Sequence, residues 1–136
     1  MRGLMLAALA AAGLAGPAAA QGITVELNKL EAGEEGQCRA FFLFRNGDDR
    51  SFEAFEMSLA LIDTDGVIDQ LLTIDAAPLP VDRTTLKLFE FPGLACDALG
   101  EVLLHDMTAC RPQNGEEIDC FPLLTLESRA DVALVK

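Results

Sequence analysis

The chain has 136 residues, with 22 acidic against 10 basic side chains and a formal charge of −12. That length suits one domain with a single core, and that charge repels phosphate backbones and anionic lipid, so nucleic-acid and membrane-surface binding are poor hypotheses. A basic partner or a bound cation stays open, and the acidity also keeps a small domain soluble.

Met1 to Ala20 reads as an export signal. Arg2 gives a short positive start, Leu4 to Leu14 is an uncharged apolar run, Gly16-Pro17 breaks the helix, and Ala18 to Ala20 supplies the small residues that a signal peptidase requires. Cleavage after Ala20 leaves Gln21 as the new N-terminus and one domain over 21–136. The apolar run is shorter than the roughly 20 residues of a membrane span. The cleavage site has no cysteine for a lipid anchor, and the start has no twin arginine. The 116 residues that remain carry 9 basic and 22 acidic side chains, since only Arg2 is lost, for a formal charge of −13.

Along the mature chain, apolar and polar residues alternate with the period of strands. Ile23, Val25 and Leu27 alternate with Thr24, Glu26 and Asn28, and Glu31 to Gln37 is a loop. Cys38, Ala40, Phe42 and Phe44 share one face of a second strand whose other face, with Phe41 and Leu43, is apolar too. It ends at Asn46-Gly47-Asp48-Asp49, a turn composition. A third strand points Phe55, Met57, Leu59 and Leu61 inward and Glu56, Ser58 and Ala60 outward. Asp63-Thr64-Asp65-Gly66 turns it back, with Gly66 taking positive φ, so that Val67 to Asp75 pairs antiparallel beside it.

Pro78-Leu79-Pro80 interrupts the pairing. Thr84 to Phe91 is a fifth strand, with Leu86 and Leu88 on one face and Thr85 and Lys87 on the other. One helical turn capped by Gly100 precedes a sixth strand, Val102 to Cys110, and Phe121 to Glu127 makes the seventh, with Pro122 marking a sheet edge. About seven short strands separated by turn residues imply an all-β, immunoglobulin-like antiparallel β-sandwich.

Four cysteines in an exported chain imply two disulfides. Asn114-Gly115 is a hairpin signal, and a three-residue loop at 114–116 with Gly115 or its neighbour left-handed brings Cys110 opposite Cys120. Cys38 is then left for Cys96. A zinc site is disfavoured, because no C-x-x-C pair is present and the spacings are 58, 14 and 10.

The middle of the chain resembles the immunoglobulin-like FxLYD type of exported bacterial domain. The resemblance rests on Leu59 to Ile68 with its Asp63-Thr64-Asp65-Gly66 turn, on Pro78-Leu79-Pro80, and on Leu86-Lys87-Leu88-Phe89. It departs from that pattern at Ile62, where an aromatic is usual, and at Pro80-Val81, where Pro-Gly is usual. The whole chain is also similar to small exported bacterial proteins that carry no assigned activity. These resemblances imply a binding or spacer module. An antibody-type domain is disfavoured, since the chain has no Trp and no Tyr.

Catalytic signals are sparse. His105, the one histidine, adjoins Asp106, but neighbouring strand residues face opposite ways, and Ser51, Ser58 and Ser128 lie in no nucleophile elbow. Asp97 and Asp119 beside cysteines argue against reactive thiols. Asp63-x-Asp65-Gly66 reads as a turn rather than a calcium loop, because Ile68, Leu71 and Leu72 follow. Asp48-Asp49 and Glu116-Glu117 are further acidic tips, able to hold a divalent cation weakly or to meet a basic partner if they cluster at one end of the sandwich. No catalytic, metal or cofactor residues are assigned. The expectation is a non-catalytic periplasmic or secreted module with a protein partner, acting through sheet edges or loops. The competing expectation is a small enzyme or enzyme inhibitor whose loop is clipped by Cys110 and Cys120.

Overall fold

The computed structural model describes residues 12–13 and 22–136. The export signal and its Ala20–Gln21 cleavage point lie outside the described residues, apart from Ala12 and Gly13. Eight strands follow: β1 (Ile23–Ala32), β2 (Cys38–Asn46), β3 (Phe52–Asp63), β4 (Ile68–Asp75), β5 (Thr84–Phe91), β6 (Leu99–Pro112), β7 (Leu124–Ser128) and β8 (Ala133–Val135). They form two four-stranded sheets, sheet A in the order β5-β2-β1-β7 and sheet B in the order β4-β3-β6-β8. The chain pairs β1 with β2 in sheet A and β3 with β4 in sheet B, then returns β5 to the first and β6 to the second. This is a disulfide-stabilised, immunoglobulin-like β-sandwich.

Period-two alternation builds the core between the sheets. Val25 and Leu27 of β1, Phe42 and Phe44 of β2, Phe55, Met57, Leu59 and Leu61 of β3, and Val102 and Leu104 of β6 are all fully buried. The Phe44 and Phe55 rings meet edge-on across the two sheets, with centroids 6.1 Å apart. That arrangement adds about 0.5–1.5 kcal/mol to the burial itself.

Two parallel pairings depart from the expected all-antiparallel sandwich. β7 runs parallel to β1, and β8, an eighth strand of three residues, runs parallel to β6. The tail thus steps from sheet A to sheet B and closes one flank, leaving β5 and β4 as the edges of the other. Phe121–Leu123, expected inside the seventh strand, is a 3-10 turn instead.

The β6 region is corrected as well. The turn before it is a 3-10 turn at Cys96–Ala98, and Gly100 is no cap but part of the strand. A Cβ at Gly100 would run into the Asp63 carbonyl, so glycine lets β6 approach the end of β3. The β3–β4 turn is held by Asp63, whose Oδ1 accepts from the Asp65 and Val67 amides at 2.9 Å each, with Gly66 at φ 80°.

The disulfides join Cys38 to Cys96, 58 residues apart, and Cys110 to Cys120, 10 apart. Asn114 takes the left-handed conformation in the loop that the second closes, at φ 59°. That loop does not continue as a strand; it is tied back by the bond from the Ile118 amide to the Cys110 carbonyl and by the Cys110 amide, which donates to Glu117 Oε2 at 3.4 Å.

Chain-entropy arguments put the long closure at about 4 kcal/mol and the short one at about 3 kcal/mol. Urea unfolding of Cys38→Ala/Cys96→Ala is therefore expected to show the larger loss, and of Cys110→Ala/Cys120→Ala the smaller. The reverse order would mean that the short clip stabilises the fold by more than loop closure.

Candidate interaction surfaces

β2 is apolar on both faces, so one apolar set must be left outside. Cys38, Ala40, Phe42 and Phe44 point into the core, which turns Phe41 and Leu43 outward, where they are half-buried. Leu43 lies opposite Leu86 and Phe41 opposite Leu88 in β5. Leu86 is 61% exposed and Leu88 41%. β5 therefore turns its leucines to solvent and directs Thr85 and Lys87 to the half-buried side, with Phe91 in the core. An ordinary amphipathic strand does the opposite.

The apolar block is framed by cations. Arg39 follows Cys38 at one end of β2, and Arg83 precedes β5 at the other end of the block. Among the described residues, neither they nor Lys87 form an ion pair within 4.0 Å, but Arg39 lies directly between Glu31 of β1 and Glu90 of β5 in register. The Arg39 Nε is sealed from solvent without a hydrogen-bond partner, and its guanidinium stands 5.9 Å from the Phe41 ring centroid. Lys87 donates to the Ala77 carbonyl at 3.2 Å. An inward-pointing lysine on an edge strand discourages edge-to-edge pairing, so the face of β5 is open while its edge is guarded.

Further across the same face, Glu26 is covered by side chains lying on the sheet, and only 1% of its own side chain is exposed. Its carboxylate accepts from Asn28 Nδ2 at 2.7 Å and Arg45 Nη1 at 3.0 Å, with Arg129 Nε at 3.6 Å. The Asn28 and Arg45 hydrogen bonds hold the carboxyl below its ordinary value of 4.5 against the opposing cost of desolvation. The cluster bolts β1 to β2 and to the turn after β7.

The outer face of sheet B differs in charge. Its strands carry Glu53, Glu56, Asp63, Asp69, Asp75, Glu101 and Asp106 against Arg111 alone, whereas sheet A balances Glu26, Glu31, Glu90 and Glu127 with Lys29, Arg39, Arg45 and Lys87. Sheet B also exposes apolar groups: Leu71 lies opposite Ala60 and Ile68 opposite Ile62.

A β-bulge in β6 corrects the expectation for His105. Ser58 pairs with Asp106 and Leu59 with Leu104, so His105 is the extra residue, and both His105 and Asp106 are exposed. His105 Nε2 lies 2.7 Å from Ser58 Oγ. Among the described residues no hydrogen bond reaches the other ring nitrogen, and His105 lies on the exposed outer side of the sheet.

Asp48-Asp49 and Glu116-Glu117 lie in loops at one end, joined by the bond from the Gln113 amide to the Ser51 carbonyl at 2.8 Å, while Asp63-Asp65 lies in the β3–β4 turn. Asp48 is engaged by Arg50 at 2.8 Å, and the hydrogen bond from that guanidinium lowers its pKa. Among the described residues, no group of three or more His, Cys, Asp or Glu could hold a metal ion. Ser51 Oγ accepts from the Val81 amide, and Ser128 Oγ donates to the Val132 carbonyl, both within loop geometry. β7 is an edge strand of sheet A, as Pro122 suggests, with Leu124 buried and Lys136 donating to its carbonyl at 2.6 Å. No helix among the described residues is long and apolar enough to cross a membrane.

Because the folded pKa of Glu26 is depressed, its contribution to stability is present above about pH 4.5 and fades as pH falls through the folded value. Glu26→Gln is expected to cost on the order of 1–2 kcal/mol at pH 7, with the gap from wild type narrowing by pH 3. Urea midpoints showing an unchanged gap at both pH values would refute this. For Ser58, a fluorophosphonate is expected to label wild type no faster than His105→Ala. A rate advantage of about 100-fold, the low end of general-base assistance, would give the pair a nucleophilic role.

No family model matches the chain, and no curated protein matches it. Among solved structures, it is similar to IrmA from Escherichia coli, with 15% sequence identity, a TM-score of 0.60, and coverage of 78% of this chain and 91% of that chain. At that identity the likeness speaks for the fold, a small two-sheet β domain, and for nothing finer.

Proposed function

We propose that the chain is an exported, non-catalytic binding module that engages a protein partner through the outer face of β5 and β2. The observation that carries this reading is the inverted strand β5, which presents Leu86 and Leu88 to water and turns Lys87 away from it. Exposed apolar side chains in a contiguous block cost solubility unless something covers them. Arg39 at one end of the block stands between Glu31 and Glu90 in register, so the rim is mixed in charge and suits a partner with apolar side chains at the centre and polar groups of both signs around them. The exported setting is supported by the signal-like first twenty residues and by two disulfides, which persist in oxidising compartments.

Leu86→Asp/Leu88→Asp alters exposed positions and is expected to leave the thermal midpoint within a few degrees of wild type. Immobilised wild-type protein is expected to recover from periplasmic extract a component that this variant loses. Equal recovery by both proteins, or no recovery at any salt concentration, would remove the reading.

A further inference from the structure

Glycine follows an asparagine at two places in the chain, Asn46-Gly47 and Asn114-Gly115. The pairing matters chemically, because a glycine amide has no side chain beside it to hinder ring closure onto the preceding side chain. The surroundings of the two asparagines are opposite. Asn46 is 3% exposed. Its Nδ2 donates to the carbonyls of Arg50 at 2.8 Å and Leu79 at 3.0 Å, and its Oδ1 accepts from the Asp48 amide at 3.0 Å. The backbone is held as well, since the Asn46 amide donates to the Arg83 carbonyl at 3.0 Å and the Gly47 amide to the Gly22 carbonyl at 2.8 Å.

Asn114 and Gly115 are exposed, and among the described residues the Asn114 side chain takes part in no hydrogen bond. The residue stands in the third place of a turn that the Gly115 amide closes on the Pro112 carbonyl at 3.1 Å. Its φ of 59° is what that place in a type II turn demands, and asparagine tolerates it better than most side chains. The third asparagine, Asn28, precedes a lysine and is bonded to Glu26 at 2.7 Å.

We propose that Asn114 is a site of spontaneous covalent modification, deamidation through a cyclic imide, and that the fold shields Asn46 from the same reaction. The Gly115 backbone nitrogen gives its proton to hydroxide and attacks the Asn114 side-chain carbonyl carbon. A carbon-nitrogen bond forms, the bond from Cγ to Nδ2 breaks, and the departing nitrogen takes a proton from water to leave as ammonia. Water then opens the imide. Cleavage at the side-chain carbonyl gives aspartate, and cleavage at the α-carbonyl gives isoaspartate, whose backbone runs through Cβ. The net exchange is one ammonia for one water, with no oxidant or reductant. The product places a new carboxylate beside Glu116-Glu117, in the loop that Cys110 and Cys120 close.

Attack requires the side chain to swing over the following amide, and Asn114 is free to do so. At Asn46 the swing breaks both Nδ2 bonds and the Oδ1 bond. Three hydrogen bonds of ordinary strength slow the reaction there by about 100-fold.

The test incubates the disulfide-bonded protein in warm, mildly alkaline buffer and follows the exchange of ammonia for water peptide by peptide in a mass spectrometer. The change is expected to accumulate at Asn114, as aspartate and isoaspartate together, with Asn46 about 100-fold slower. In guanidinium with reductant, where the fold is lost, the two asparagines are expected to react at similar rates. Anion exchange reads the added charge independently. Asn114→Gly, which accepts the positive φ, is expected to abolish the more acidic variant. Gly115→Ala keeps the amide and brings a Cβ to 3.3 Å from the Pro112 side chain, and is expected to slow the reaction about tenfold. Thermal melts verify that both variants fold. A folded protein in which Asn114 stays intact while the denatured chain reacts would overturn the proposal, as would Asn46 reacting as fast as Asn114 in the folded state. Protection of Asn46 that persists in guanidinium would show that the fold is not what shields it.

Discussion

The inward position of Cys38 decides much of this structure. A strand has two faces, and β2 is apolar on both, so hydrophobicity alone does not choose between Phe41 with Leu43 and Phe42 with Phe44. Cys38 lies in the interior and is bonded to Cys96, and its parity carries Ala40, Phe42 and Phe44 into the core with it. Register passes the choice on: Phe91 lies opposite Cys38, so β5 has Phe91 inside and Leu86 and Leu88 outside. A one-residue slip would bury the leucines and expose the phenylalanines, and the bridge opposes that slip. The same covalent link that stabilises the fold thus presents the apolar surface.

Much of this architecture was legible from local patterns. Alternation located β1 to β5 because each is one face against another over several residues, and the Asp63 to Gly66 turn was legible because its chemistry is local: Asp63 caps two amides and Gly66 alone carries the positive φ. What escaped depends on distant partners. β8 is three residues long and exists only because β6 lies beside it, and the parallel register of β7 is set by β1, a hundred residues earlier. The bulge at His105 leaves no local mark either, since it arises from the mismatch between β3 and β6, yet it reverses the argument that kept His105 and Asp106 on opposite faces.

The candidate surface was legible in part. The sequence showed Leu86 and Leu88 sharing a face but did not say which face was inside; alignment of Phe91 with Cys38 was the missing step. The charge division had a plain signal as well. No lysine or arginine occurs between Arg50 and Arg83, or between Lys87 and Arg111, and these intervals contain all of β3 and β4 and most of β6. A basic-free run split among three strands gains meaning only when topology sets those strands side by side in one sheet.

That division also explains how so acidic a chain keeps an apolar surface usable. A formal charge of −12 on the chain, spread evenly, would give every face the same repulsion. Here sheet A is balanced by its own strands and the turn after β7, with Arg45 and Arg129 neutralising Glu26 and Lys29 facing Glu31 at 3.1 Å, while the excess acid lies in sheet B and the loops. At physiological salt, charges are screened beyond about 8 Å, so an approaching surface responds to the side chains beside the leucines more than to the total. Beside the leucines those side chains are Arg39, which lies between Glu31 and Glu90 in register, and Lys87, which is turned inward to the Ala77 carbonyl, so the field over the apolar block is close to neutral.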